Sequence, residues 1–149
     1  MKLQASSFAT DRQSLRDLDG VRVSIEPLTA EAGRRGLDGD QLRRAAEDRL
    51  RAARITVLGT GDFPVGDPFL RIRVDVSAES HGVVACAVAV DFVQMVFMRR
   101  NPAVTFNRAQ TWAAPATVEL VEPVGVQAAV TTALDRALAR FVSDYRAVN

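Results

Sequence analysis

Residues 69–112 read FLRIRVDVSAESHGVVACAVAVDFVQMVFMRRNPAVTFNRAQTW, and this stretch decides the predicted fold. Within it, residues 69–78 alternate apolar with polar or charged side chains, which is the pattern of a β-strand with one buried face. Residues 80–82, Ser-His-Gly, predict a tight turn, and residues 83–99 predict a second strand. The two strands are therefore predicted to form a β-hairpin.

The strand predicted for residues 83–99 is longer than most strands, so we expect a bend or bulge near Asp91, where polarity enters the segment. A tight connection at residues 100–102 leads into a third alternating segment, residues 104–112. Three consecutive strands joined by short turns predict an antiparallel meander.

Helices and two further strands are predicted on either side of the meander. The alternation of residues 21–25 predicts the first strand of the chain, and residues 55–58 predict another, shorter strand. Between them, residues 40–53 have apolar side chains at helical spacing and predict a helix. Asp38 precedes this helix as its N-cap, three positions before a glutamine.

The C-terminal segment predicts the longest helix, with an apolar stripe that runs from Val126 to Tyr145. Its opposite face is predicted to be solvated and carries Gln127, Thr131, Asp135, Arg136, Arg140 and Asp144.

This element order, β-α-β-β-β-β-α, predicts an α+β two-layer sandwich. An antiparallel-rich sheet of four to five strands would carry two helices on one face, because each helix has one apolar stripe and most strands have one apolar face. We expect residues 20–149 to form a single domain, preceded by a polar, flexible lead-in at residues 1–19.

Composition excludes several partners and sites. The chain has 149 residues, of which 19 are basic and 18 acidic, so its net charge of +1 does not favour nucleic-acid binding. The longest uncharged segment, residues 123–134, is polar in part and too short to span a membrane.

The chain also lacks the residues of common catalytic and metal sites. Cys86 is the single cysteine and lies in an apolar strand, so neither an internal disulfide nor a cysteine-based zinc site is expected. A catalytic triad or histidine-containing metal site would depend on His81, in a predicted turn, and a Schiff-base lysine on Lys2. We therefore expect no enzyme activity, catalytic residue, metal or cofactor. The enzyme alternative requires carboxylates to converge in a cleft; the candidates are Asp75, Asp91 and Glu119.

The second face of the sheet needs a separate explanation, because residues 83–99 are apolar on both faces. We expect the area around Val93, Met95 and Phe97 to be covered by the lead-in, by the loop at residues 59–68, by a second copy, or by a partner or apolar ligand.

Arg71 and Arg73 lie on that face and are candidates for binding an anion. The alternative is that they form cross-strand ion pairs. The predicted acidic partner is Asp75, Glu26 or Glu79.

Two other polar or aromatic side chains have equally open roles. Gln94 either ties down neighbouring backbone or lines a small polar pocket. Trp112 either caps the core or serves as a ligand platform. Phe97 and Arg99, at the end of the long strand, are further candidates. The complete candidate binding set is Arg71, Arg73, Gln94, Phe97, Arg99 and Trp112.

Three short segments carry a resemblance to a known family. Residues 94–99 (QMVFMR), 111–112 (TW) and 141–149 (FVSDYRAVN) resemble the Gln-x-Val-x-Leu-x-Arg strand, Thr-Trp strand and Asp-Tyr-Leu-x-Val-Asn end of a family of small uncharacterised bacterial exported proteins. Met98 and Arg146 replace the usual leucines. The resemblance implies an envelope location and no particular activity.

The element order is also similar to that of lipopolysaccharide-assembly accessory lipoproteins, in which two helices pack on one face of a sheet. We therefore expect a non-enzymatic, periplasmic or envelope-associated module that binds an envelope protein or forms a homodimer, with its export signal absent from this sequence. The alternative function is binding of a small apolar or anionic ligand in a cleft beside the sheet.

Overall fold

A computed structural model describes residues 11–149 and contains a five-stranded sheet with helices, an α+β sandwich as predicted. Its elements are, in chain order, β1 (Arg22–Ile25), α1 (Ala30–Arg34), α2 (Gly39–Ala52), β2 (Phe69–Val76), β3 (Val84–Met98), β4 (Asn101–Ala113), β5 (Thr117–Val121), a 3-10 turn (Pro123–Gly125) and α3 (Val126–Arg146).

The sheet has the order β1-β2-β3-β4, and the predicted meander of β2, β3 and β4 is confirmed. β1 pairs with β2 in parallel, whereas the other pairs are antiparallel. β5 pairs with the first half of β3, on the side where β4 pairs with its second half. β3 therefore runs through the centre of the sheet, and β4 and β5 follow each other along one edge of it.

The turns and helix ends follow the local sequence. His81 and Gly82 have φ angles of 52° and 76° in the turn between β2 and β3, the left-handed conformation that tight hairpin turns require. The Asp38 side chain accepts a hydrogen bond from the backbone N–H of Gln41, as predicted for the N-cap of α2. The short helix α1 was not predicted.

Two strand assignments differ from the prediction. Residues 55–58 do not form a strand; they make a single parallel bridge between Val57 and Val21, because the backbone of Ile55 is used to close the end of α2 by donating to Leu50. β5 was not predicted at all, although its alternating pattern lies between Pro115 and Pro123.

The long central strand is irregular, as expected from its length. Its pairing with β4 shifts register between Phe92 and Val93, again between Gln94 and Val96, and once more between Phe97 and Met98. The irregularity thus begins one residue after Asp91, near the position expected for a bulge.

The core lies between the sheet and the helices α2 and α3, with Phe141 of α3 at its centre. The ring of Phe141 is fully buried and lies 5.2 Å from Trp112 in an edge-to-face arrangement, 5.9 Å from Phe92 and 6.2 Å from Tyr145, measured between ring centroids. α3 packs on β3 and α2 packs on β1, so the two predicted helices share one layer.

The core also includes part of the predicted lead-in. Leu15 is fully buried, and its carbonyl accepts a hydrogen bond from the side chain of Asn149, whose amide oxygen in turn accepts from the backbone of Asp17. The core therefore begins before Gly20. Residues 1–10 of the lead-in lie outside the described residues.

Cys86 provides a test of the core. Burial, together with the nearby Glu119 carboxylate, raises the pKa of its thiol, so less thiolate is present at any given pH than in the unfolded chain. We expect iodoacetamide to alkylate the protein in denaturant and to leave the native protein essentially unmodified over the same time. Mass spectrometry measures this directly, and alkylation of native protein at the unfolded rate would contradict the buried position.

Candidate functional site

Arg71 and Arg73 lie on the sheet face opposite the helices, and both bind Asp91. The Asp91 carboxylate accepts from Nε of Arg71 at 2.8 Å, from Nη2 of Arg71 at 3.1 Å and from Nη2 of Arg73 at 2.9 Å. Strand register explains the arrangement, because Arg71 of β2 stands directly opposite Asp91 of β3.

This pairing differs from the predicted ion pairs. Glu26 does approach Arg71, at 3.8 Å, but Glu79 pairs with Arg35, and Asp75 forms no ion pair within residues 11–149. Of the three predicted alternatives, Glu26 is therefore the partner found; the prediction did not name Asp91, which stands directly opposite Arg71 and offers a closer, bidentate partner.

The three side chains form a compact ion cluster rather than an open anion site. Asp91 is only 2% exposed, and its hydrogen bonds raise the pKa of Arg71, against the effect of burial. One carboxylate thus accepts from two guanidinium groups, and the Glu26 carboxylate lies 3.8 Å from Nε of Arg71.

The three carboxylates of the enzyme alternative do not lie together. Glu119 of β5 stands opposite Cys86 and so shares the helix-covered face, where it approaches Arg136 of α3 at 3.8 Å. Asp91 lies five residues further along β3 and points to the other face.

Gln94 and Trp112 are both engaged inside the protein. Nε2 of Gln94 donates to the carbonyl of Ser14 at 3.1 Å and to the hydroxyl of Thr111 at 2.9 Å, so it ties the N-terminal segment to β4. Nε1 of Trp112 donates to Oδ2 of Asp144 at 3.0 Å, and the indole is buried.

Asp144 corrects a prediction, because the helical pattern placed it on the solvated face of α3 and the structure buries it. Besides the bond from Trp112, its carboxylate accepts from Nε of Arg140 at 2.9 Å and pairs with Nε of Arg12 at 3.0 Å. A carboxylate with these three partners can lie inside a protein, since its charge is compensated. The sequence did offer a signal for this contact, because a buried tryptophan needs a hydrogen-bond acceptor and Trp112 is the single tryptophan of the chain.

Phe97 and Arg99 lie in a different place, where β3 and β4 extend beyond β2. The last residue pair between β2 and β3 is Phe69 with Val93; beyond it, residues 94–109 form a two-stranded ribbon, which we call the hairpin tip. Phe97 is 67% exposed there, and Met95 and Phe106 are exposed as well.

The loop at residues 59–68 lies beside the hairpin tip. The carbonyl of Gly66 accepts a 2.7 Å hydrogen bond from the backbone N–H of Met95. Next to this contact, Phe63 and Val65 are 92% and 95% exposed. Val93 is fully buried, but neither the loop nor the described part of the lead-in buries Met95 or Phe97.

We call this group of side chains the apolar end; it comprises Phe63, Val65, Met95, Phe97 and Phe106. Sequence reasoning found only part of the apolar end, because the contact between the loop and the hairpin joins distant parts of the chain.

The sequence did carry a signal for the positive charge beside the apolar end. No aspartate or glutamate occurs between Asp91 and Glu119, and this acid-free stretch carries three arginines; they are Arg99, Arg100 and Arg108.

Those three arginines remain available for an external partner. Within residues 11–149, none of them forms an ion pair with a carboxylate. Arg108 lies over the ring of Phe69, at 5.8 Å from its centroid, and Arg100 approaches the sulfur of Met98. The apolar end is therefore bordered by uncompensated positive charge.

A cleft of about 510 Å³ lies elsewhere, between α3 and the connection from β4 to β5. Arg136, Ala137 and Arg140 of α3 line it together with residues 114–118. Gln94, Phe97 and Trp112 do not line this cleft.

The part of the chain that the structure describes has no group of three or more His, Cys, Asp or Glu side chains arranged to hold a metal ion. No helix in residues 11–149 combines the length and the apolar character needed to cross a membrane.

Comparison with known proteins gives little further information. No protein-family model matches the chain, and no curated protein matches it significantly. Among solved structures, the chain is similar to a minor lipoprotein from Acinetobacter baumannii, with a TM-score of 0.35 and 15% sequence identity, over 85% of this chain and 92% of that chain. A TM-score at this level is too low to infer a shared function.

Proposed function

We propose that this protein is a non-enzymatic accessory module of the bacterial envelope that works by docking through its apolar end. The observation that carries the proposal is the exposure of Phe63, Val65 and Phe97 at one end of the sheet. The envelope location rests on the sequence resemblance described above.

Exposed apolar side chains of this size favour binding. Burying a phenylalanine or valine side chain is worth about 1.5–3 kcal/mol relative to leaving it in water. Large exposed apolar side chains bordered by polar groups are typical of interaction sites. Because Phe63, Val65 and Phe97 are already exposed, docking through them requires no rearrangement of the core.

A second candidate function is binding of a small anionic, partly apolar ligand in the cleft beside α3. The cleft volume of about 510 Å³ lies in the usual range for ligand sites, and Arg136 and Arg140 would supply the positive charge. Arg140 is already bound to Asp144 and Arg136 approaches Glu119, so the cleft offers less uncompensated charge than the apolar end does.

In-cell photo-crosslinking tests the proposed docking surface. A photoreactive phenylalanine analogue in place of Phe63 or Phe97, in a full-length copy expressed at native level, should capture a component of the envelope fraction. The same analogue in place of Arg44, on the exposed face of α2, is the matched control. Capture from both apolar-end positions and not from the control supports the proposal, whereas no capture, or equal capture from Arg44, contradicts it.

A further inference from the structure

We infer that the apolar end docks on the surface of an anionic lipid bilayer. This inference rests on the proposed function and names its partner. Two features of the structure carry it: the charge of the hairpin tip, and the arrangement of the apolar side chains on separate protrusions.

The charge of the hairpin tip is complementary to an anionic surface. Arg99, Arg100 and Arg108 lie within a stretch of the chain that has no acidic residue. Each arginine close to an anionic membrane surface contributes about 1 kcal/mol, which corresponds to roughly a fivefold gain in affinity. The net charge of the whole chain is only +1, so this charge is local to one end of the molecule.

The neighbouring loop does not cancel this charge. Of its two aspartates, Asp67 pairs with Arg22 at 2.7 Å, and Asp62 accepts from the backbone N–H of Gly59 at 2.6 Å. Arg22 also donates to the carbonyl of Asp62 and so holds the loop in place. With Arg22 included, the loop and hairpin together carry four arginines and two aspartates, a net charge of +2.

The apolar side chains also fit a lipid surface better than a protein surface. Phe63 and Val65 protrude from the loop, whereas Phe97 protrudes from the hairpin tip, and all three are largely exposed. Lipid headgroups move aside for separate protrusions, and interfacial binding combines such apolar side chains with arginine. A protein partner would need a pocket shaped for each side chain.

A second copy of this chain fits less well. Two identical apolar ends would bring like-charged hairpin tips together, and like charges facing each other weaken an interface.

Vesicle co-sedimentation of the full chain tests the inference. We expect binding to vesicles of phosphatidylcholine and phosphatidylglycerol in a two-to-one mixture, little binding to pure phosphatidylcholine, and weaker binding at high salt, because salt screens the arginines. Absence of binding to the mixed vesicles would overturn the inference.

Two double variants locate the binding surface. F63S/F97S should weaken vesicle binding at least about tenfold, since each phenylalanine contributes apolar burial. R99Q/R100Q should weaken it by about 25-fold, at roughly fivefold per arginine. R34Q/R44Q makes the same change in net charge in the helices that follow the other end of β1, away from the apolar end, and should bind nearly as the unmodified protein does. Equal weakening in this control would overturn the inference, because binding would then depend on overall charge alone.

The photo-crosslinking experiment separates this inference from the proposed function. Transfer of the Phe97 crosslink to lipid supports the bilayer as partner. Transfer to an envelope protein, together with a failure to bind vesicles, would overturn the bilayer and leave the docking function intact. Failure of both experiments would overturn both proposals.

Discussion

Replacing Phe141 with alanine should destabilise the protein by about 3–5 kcal/mol, the usual range for removing a buried phenylalanine. The ring is fully buried and contacts aromatic rings from both layers, Phe92 and Trp112 of the sheet and Tyr145 of its own helix. Its removal leaves a cavity that rigid aromatic neighbours fill poorly. Domains of this size have a total stability of about 5–15 kcal/mol, so the loss would be a large fraction of it.

Urea unfolding followed by Trp112 fluorescence measures this effect, because the indole lies against the Phe141 ring. The matched control is F63A, which removes the same side chain from a position that is 92% exposed. We expect that control to change the free energy of unfolding by less than about 0.5 kcal/mol. Similar losses in F141A and F63A would contradict the placement of Phe141 in the core.

Replacing Asp91 with alanine should destabilise the protein by about 2–4 kcal/mol. The substitution removes three hydrogen bonds from arginine and leaves two guanidinium groups side by side without their shared partner. Both arginines are partly exposed, and solvent therefore compensates some of the loss. The expected value is accordingly below that for a fully buried ion pair.

The control for this variant is D75A, which removes an exposed aspartate from β2. We expect a change within about 0.5 kcal/mol for D75A. A second comparison adds R71M to D91A; it should recover part of the stability, since one of the two unpaired charges is removed together with its partner. A loss in D91A as small as that in D75A would show that the cluster does not stabilise the sheet.

The contacts of the candidate binding residues divide them into a structural set and a proposed docking set. Arg71, Arg73 and Trp112 are bound to carboxylates inside the protein, so substitutions there should act on stability. Phe97 and Arg99 have no such partners within residues 11–149, so substitutions there should act on docking and leave the free energy of unfolding nearly unchanged.

Much of the fold follows from local patterns. The period-2 alternation predicts β2 and the start of β3, and the helical stripe predicts α3. The capping pattern at Asp38 places the start of α2 within one residue. Short β5 was missed, because five residues between two prolines are also compatible with a loop.

The sequence alone thus determined the strands of the meander, the first strand and the two long helices, because their apolar periodicity depends on the order of neighbouring residues. Tertiary structure alone decided that Asp144 is buried against Trp112, that Asp91 joins Arg71 and Arg73, and that the loop around Gly66 meets β3 at Met95. Each of these contacts joins residues far apart in the chain, and their partners are set by strand register and helix packing rather than by local periodicity.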